Sequence, residues 1–543
     1  MEFVNLSAHA GIPQENLRHF WNYIGYDECN FTHMPHGMEL IRKFGCFEQP
    51  YYFRAHHMLC TGNLHGLNKW GSTNIYTEDE NGNPVYDFSC IDKMFDIWLD
   101  SGNLPFFEIG FMPRDLARLP ADGKPYTDGS YKSTGWAMPP KDWQKWYDLI
   151  YALMLHLKTR YGEKSLARWY FELWNEPDII YWRGTHEEYC RLYDYTEAAI
   201  HAVLPEARFG GPATTGNNAY DSEAAAYLRD FLRHCREGIN FYSGKTGTRI
   251  DFTSFHTKGG LYNMNLKAAK QIPSVQVFLQ NCKVLSDIVK EEGYGGLECI
   301  ISEADPDSWA AGGRYDNFNL NFRNTEYYAS WVASTYKNLQ DLSDLQGMDM
   351  RPLAWAFEFE PERCFEGTRA FTTQGIEKPL FNLFKLYAML GTKRIALESG
   401  RGFHPLAYAD KNGYDMGTEI NGWATQRDDG VYAILLYAHH DDWDIKEEYA
   451  VHFTLDGLDS NAVRLTHYRI DSEHSNAHTE WLRQGSPDWP DAAQYAAIKA
   501  REGLELLCEP YAAPVRGGAV EMDFTLPAHG VSLILAQPVC EQE

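Results

Sequence analysis

The chain is predicted to be α/β: a (β/α)8 barrel over residues 1–392, then a β-sandwich-like accessory domain over 393–543. Three observations carry that expectation. Short apolar segments alternate with longer helical patterns through the first part, the rhythm of a parallel sheet built from βα units. Several of those segments end at or beside an ionisable residue (His56, Glu176, His256, Glu303 and Glu358), as a barrel requires if its βα loops build one site. Beyond about residue 392 strand patterns continue, but helices no longer alternate with them.

A first strand is expected near 18–24. Further strands are expected at 51–57, 104–111, 168–174, 207–213, 250–256, 297–303 and 352–358, which brings the count to eight. Helical periodicity fills the gaps, for example over 142–160, 187–204, 222–236 and 274–292. In the second part, 431–440, 449–458, 463–471 and 520–526 read as strands, with turn signals such as Asp428-Asp429-Gly430 between them. One helical stretch, about 491–507, interrupts them.

Composition narrows the function. At 543 residues with 44% hydrophobic content the chain can bury a large core. A formal charge of −26 argues against nucleic acid or an anionic membrane surface as partner. The 11 cysteines are scattered, with no C-x-x-C pair, so a disulfide framework is not expected. Residues 1–6 lack a basic n-region and an apolar h-region, and no run of about 18 apolar residues exists. The expectation is a cytoplasmic protein, compatible with a homo-oligomer.

The chemistry concentrates in Trp169-Tyr170-Phe171-Glu172-Leu173-Trp174-Asn175-Glu176-Pro177-Asp178. Proline cannot donate to a sheet ladder, so the strand should stop there and leave Glu176 at its carboxy-terminal tip. Ile300-Ile301-Ser302-Glu303-Ala304-Asp305-Pro306 has the same form: apolar strand, Glu, proline stop. On the fourth and seventh strands of a closed barrel, the two carboxylates can converge above its mouth. A pair about 5 Å apart suits retaining glycoside hydrolysis, with one acid/base and one nucleophile. Arg54 and His56 would favour the ionised form of one, and burial beside that charge would keep the other protonated. Asn175 can grip a sugar hydroxyl.

These motifs resemble glycoside hydrolase family 39, which holds β-D-xylosidases and α-L-iduronidases on a (β/α)8 barrel with a β-sandwich. The resemblance implies Glu176 as acid/base, Glu303 as nucleophile, and Asn175 as the residue binding the sugar 2-hydroxyl. It implies Arg54, His56 and His256 as substrate-side residues, and no cofactor or metal. Phe111-Met112-Pro113-Arg114-Asp115-Leu116-Ala117, Pro139-Pro140-Lys141 and 468–476 look like the β-xylosidase branch. Asn240-Phe241-Tyr242-Ser243-Gly244, His256-Thr257-Lys258-Gly259 and Glu303-Ala304-Asp305-Pro306 look like the iduronidases, where the lysine lies in the sugar pocket. Asp307-Ser308-Trp309, however, does not reproduce the glycine-bearing turn that helps iduronidases hold the substrate carboxylate.

Phe357-Glu358-Phe359-Glu360 adds acids where a uronate pocket would prefer cations. Lys258 is therefore expected to bind a neutral hydroxyl and to pair with Glu358 or Glu360. Trp309 and the other aromatics Trp136, Trp174, Tyr181 and Trp182 are candidate stacking platforms, though most should be core. Two further signals carry little. Ser243-Gly244-Lys245-Thr246 lacks the spacing and context of a phosphate loop, and His439-His440-Asp441-Asp442 reads as a solvated turn. The expected activity is release of terminal β-D-xylose-like residues from short oligosaccharides. The alternatives are an iduronidase-like hydrolase of uronide-terminated glycans and, from another class, a non-catalytic carbohydrate-binding protein. The last would be expected to lack one carboxylate, and both are present.

Overall fold

The computed structural model describes residues 2–61, 73–119, 135–216, 222–260, 270–408 and 416–539. Eight parallel strands form the barrel: Tyr23–Tyr26, Tyr52–Ala55, Leu104–Ile109, Tyr170–Leu173, Arg208–Thr214, Phe252–Lys258, Glu298–Asp305, and a split eighth strand. The eighth strand closes the ring in two pieces. Asp349–Pro352 pairs with the seventh strand, and Ala354–Trp355 pairs with the first. The expected eighth strand at 352–358 therefore begins earlier and ends sooner. Leu353 bridges the pieces, donating to Ile301 and accepting from Ala304.

Helices follow each strand in turn: Pro35–Gly45, Ser89–Asp100, Trp143–Tyr161, His186–Val203, Glu223–Glu237, Val275–Glu291, Glu326–Gln346 and Pro379–Ala388. Local signals start them. Asp142, Ser222 and Ser274 cap their helices, and Thr185 with Glu188 forms a reciprocal capping box. The helix Glu326–Gln346 is buried almost all round, because it lies between the barrel and the second sheet.

That second sheet is mostly antiparallel and curls into a barrel-like domain around Leu436, Val451, Phe453, Leu465 and Ile534. It takes one strand from the other end of the chain. Glu2–Pro13 pairs with Lys393–Ser399 on one side and, in parallel, with Glu448–Asp456 on the other. The expected division at 392 thus misassigns these first residues: Val4, Leu6 and Ala8 alternate into the second core, as a half-buried strand demands. The expected helix at 491–507 is shorter, Ala492–Lys499, and Glu505–Pro514 is an edge strand against Ala462–Ile470. Its poor alternation and two prolines hid it.

His439-His440-Asp441-Asp442 is a docking loop rather than a solvated turn. Asp441 accepts from the backbone of Val275 and from Ser274 Oγ (3.1 and 2.6 Å), at the N-terminus of the sixth barrel helix. Lys270 reaches both Asp442 and Asp444. The segment 239–246 is a turn closed by Asn240 and Lys245, with no strand-loop-helix about it.

Candidate active site

Strand parity builds the site from the floor upward. Tyr23, Phe106, Tyr170, Phe252, Ile300 and Leu353 fill the lowest part of the barrel, with Tyr52 packed against them. Two residues further along the second, third and fourth strands, the same face carries Arg54, Glu108 and Glu172. All three are fully buried. Arg54 Nε lies 2.6 Å from Glu172 and its Nη2 lies 3.0 Å from Glu108. One step higher come His56, Asn175 and His256. Asn175 Oδ1 accepts from Arg54 Nη2 at 3.0 Å, and His56 Nδ1 lies 2.7 Å from Glu108 Oε2.

Two local departures from regular strand geometry deliver the glutamates. Ile300 points into the barrel, so simple alternation would turn Ser302 inward and Glu303 outward. The register against the sixth strand slips at this point: Ile301 faces Phe255 and Glu303 faces His256, which leaves Ser302 as an extra residue. That bulge returns Glu303 to the inner face. The strand then runs on to Asp305, two residues beyond the expected end.

The fourth strand stops at Leu173, three residues earlier than the proline suggests. Trp174 (φ 67) and Glu176 (φ 44) then adopt left-handed backbone, at a cost on the order of 1–3 kcal/mol each. Surrounding bonds hold them there. Trp174 N donates to Ile109, Glu176 N donates to Ala213 (2.9 Å), and Asp178 accepts from Thr215 N (2.9 Å).

The result is a converged pair. A carboxylate oxygen of Glu176, one of Glu303 and a ring nitrogen of His256 all lie within 4.8 Å of one another. His256 Nδ1 is 2.9 Å from Glu176 Oε1 and 3.7 Å from Glu303 Oε2. Such a trio of atoms offers the ligands a cation would use. Here the Lys258 ammonium, 2.6 Å from Glu303 Oε2, and the Arg54 guanidinium, 3.7 Å from Oε1, already match that negative charge.

The two carboxyl groups are pushed in opposite directions. Burial, then the charge of Glu303, raises Glu176 to about 8, against the pull of Lys258, His56 and Arg54. Burial also opposes ionisation of Glu303, but Lys258, His256, His56 and Arg54 outweigh it and hold the group well below the ordinary carboxylate range. Burial lowers His256 to about 4, leaving a neutral imidazole beside Glu176. For His56, burial is outweighed by Glu108, so its protonated form is favoured. One acid held neutral and one held ionised, side by side, form the acid/base and nucleophile pattern.

Of the residues singled out in the sequence, Arg54, His56, Asn175, Glu176, His256, Lys258 and Glu303 meet here. Lys258 does not pair with Glu358 or Glu360; it bridges Glu303 and Asp305. The reason is parity, since Lys258 follows His256 by two on the same strand face. Among the described contacts, none joins Trp309, Glu358 or Glu360 to either glutamate. Trp309 packs its ring on Gly312. Glu358 accepts from Thr372 and lies 3.7 Å from His36, while Glu360 accepts from the His36 backbone. Trp136, Trp174 and Trp182 are core.

Sequence reasoning passed over Glu108, Glu172, Asp305, Trp355 and Arg369. Glu108 and Glu172 had a legible signal, an acid inside an apolar strand. Trp355 had a subtler one: its ring lies where a Cβ on Gly25 would sit (2.2 Å), and it covers Arg54 and His56.

Comparison with known proteins identifies the family. The family model of glycosyl hydrolases family 39 matches residues 13–506. A beta-xylosidase of Caldicellulosiruptor saccharolyticus is 28% identical over 451 residues, 78% of either chain. Human alpha-L-iduronidase is 24% identical over 435 residues, 77% of this chain and 61% of that one. Among solved structures, a bacterial orthologue of human α-L-iduronidase superposes with a TM-score of 0.79 at 19% identity, covering 100% of this chain and 85% of that one. A monomeric beta-xylosidase from Caulobacter crescentus CB15 gives 0.76 at 22% identity, covering 99% and 100%.

Proposed function

Because the chain belongs to glycosyl hydrolases family 39 and is a glycoside hydrolase, we propose that it releases terminal β-D-xylose-like residues from short oligosaccharides with retention of configuration. One observation carries the mechanism: two carboxylates with oxygens within 4.8 Å, one held neutral and the other ionised. That spacing suits direct attack on the anomeric carbon. Inversion needs a water between carboxyls roughly 6.5–9.5 Å apart. Glu303 attacks while Glu176 protonates the departing oxygen. Glu176, now a base, then activates the water that releases the sugar. Asn175, oriented by Arg54, is placed to hold a sugar hydroxyl.

Charge balance supports a neutral sugar. Lys258 and Arg369, the cations nearest the nucleophile's strand end, are already bound by Glu303, Asp305 and Asp307. A uronate would add another buried anion, and neither of these two cations is free to meet it. The uronide reading keeps one observation in its favour, the ammonium of Lys258 beside the nucleophile. Initial rates on aryl xyloside, arabinoside, galactoside, glucoside and iduronide decide between them. The xyloside is expected to turn over fastest, and a faster iduronide would overturn the choice.

Azide rescue tests the roles. In Glu303→Gln every substrate should lose turnover. In Glu176→Ala a substrate with a good phenolate leaving group should still form the glycosyl-enzyme, which then accumulates for want of a base. Azide should restore turnover of that variant and yield a β-xylosyl azide. Rescue of the Glu303 variant with retention, with the Glu176 variant untouched, would reverse the assignment.

A further inference from the structure

The nucleophile is the first member of a buried ladder of alternating charge. Lys258 Nζ lies 2.6 Å from Glu303 and also binds Asp305. Asp305 is held in turn by Arg369, Arg369 Nε lies 3.8 Å from Asp307, and Asp307 is clasped by Arg323. Arg323 is anchored to the backbone carbonyls of Gly312 and Gly367 (2.9 and 3.0 Å). All six side chains are at most 8% exposed. Asp305 Oδ1 also accepts from the backbone N of Trp355 at 3.0 Å, which ties the ladder to the split eighth strand.

Such an array has a consequence during the reaction proposed above, on which this inference rests. When a Glu303 oxygen bonds to the anomeric carbon, the bond from that carbon to the leaving oxygen breaks. Its electron pair leaves with that oxygen, which takes the proton of Glu176. The negative charge thereby passes from Glu303, now a neutral ester, to Glu176. Lys258 loses one of its two ionic partners at that moment. A buried ammonium without a counter-charge is strongly unfavourable.

We propose that Asp305 is a positioning residue that serves as the retained counter-ion of Lys258, so that the ammonium stays paired whether Glu303 is ionised or esterified. Because Asp305 shares the ammonium, Lys258 holds Glu303 in its ionised ground state less tightly than it would alone. Arg369, Asp307 and Arg323 hold Asp305 in place. Deleting the carboxylate of Asp305 commits Lys258 to Glu303 alone and penalises every state in which Glu303 carries the sugar.

The test uses a 2-deoxy-2-fluoroxyloside with a dinitrophenolate leaving group, and reads the rate of covalent labelling together with the labelled peptide by mass spectrometry. Labelling of Glu303 in the wild type is expected. Its absence would sink the retaining reading and this inference together. With Glu303 labelled, Asp305→Asn should slow labelling by about tenfold or more, with the affinity for free xylose changed by less than about twofold. In a Lys258→Met background the same substitution should add less than about twofold, because the ion it serves is gone.

Should Asp305→Asn not fold, Asp305→Asn/Arg369→Met removes an acid and a base together and must show the same slow labelling. A wild-type rate in the Asp305 variants, or a penalty undiminished in the Lys258→Met background, overturns the proposal while leaving the retaining mechanism intact.

Discussion

Glu176 and Glu303 begin with the same intrinsic acidity and are separated by their neighbours. Both are buried, which raises each. Glu303 has an ammonium at 2.6 Å, whereas Glu176 has a neutral imidazole at 2.9 Å and an anion close by. Raising Glu176 to about 8 corresponds to a preference for the neutral acid on the order of 5 kcal/mol. The sign for activity follows directly. The first step needs Glu176 protonated, so kcat/KM should fall as pH rises through about 8. Replacing Glu303 by Gln removes the anion while burial remains, so the Glu176 carboxyl should titrate below that value. Carbon-13 NMR of the labelled side chain in that variant measures it, and an unchanged or higher midpoint would refute the electrostatic account.

Among the elements, the seventh strand does the aiming. A strand has a side-chain period of two, so one extra residue exchanges its faces. Ser302 is that residue. Its deletion should close the bulge into plain alternation with Glu303 directly after Ile301 and still opposite His256, so the fluoroxyloside should still label this glutamate. Circular dichroism should still report a folded barrel, because Ile300 below the bulge keeps its place in the core. Loss of labelling in a folded deletion variant would show that Ser302 does more than set the facing of Glu303. The fourth strand uses a different device for the same end: left-handed residues either side of Asn175, held by the end of the fifth strand.

In the whole molecule, the barrel does not stand by itself. The helix Glu326–Gln346 turns polar side chains toward the second sheet, where Glu419 accepts from Ser334 Oγ (3.0 Å), Asn338 Nδ2 (2.9 Å) and the Tyr437 hydroxyl (2.8 Å). Replacing Glu419 by Ala removes the acceptor of these donors and of Phe403 N, Tyr408 and Asn421, and a buried donor left unmade costs about 1–3 kcal/mol. A clear drop in Tm is expected, with kcat/KM at 25 °C unchanged, because none of these groups touches the glutamate pair. An unaltered Tm would show that the contact between the two units contributes little.

The sequence alone determined whatever depends on local periodicity and on single strong signals. Alternating apolar and helical segments specified eight βα units, because burial on a strand or helix follows spacing along the chain. The two Glu-then-proline motifs marked the two carboxylates that converge at the barrel mouth, because each closes an apolar strand. Distance along the chain hid the rest. Glu2–Pro13 alternates like any strand, but only the closed structure decides that its partners lie some 390 residues away. The parity of Glu303 was illegible because a bulge is a relation between two strands, not a pattern in one. Lys258 was expected to meet Glu358 or Glu360, yet it meets Glu303 and Asp305. Ion pairs in a buried site are chosen by which side chains share a face and a height in the barrel, and that choice exists only once the sheet has closed.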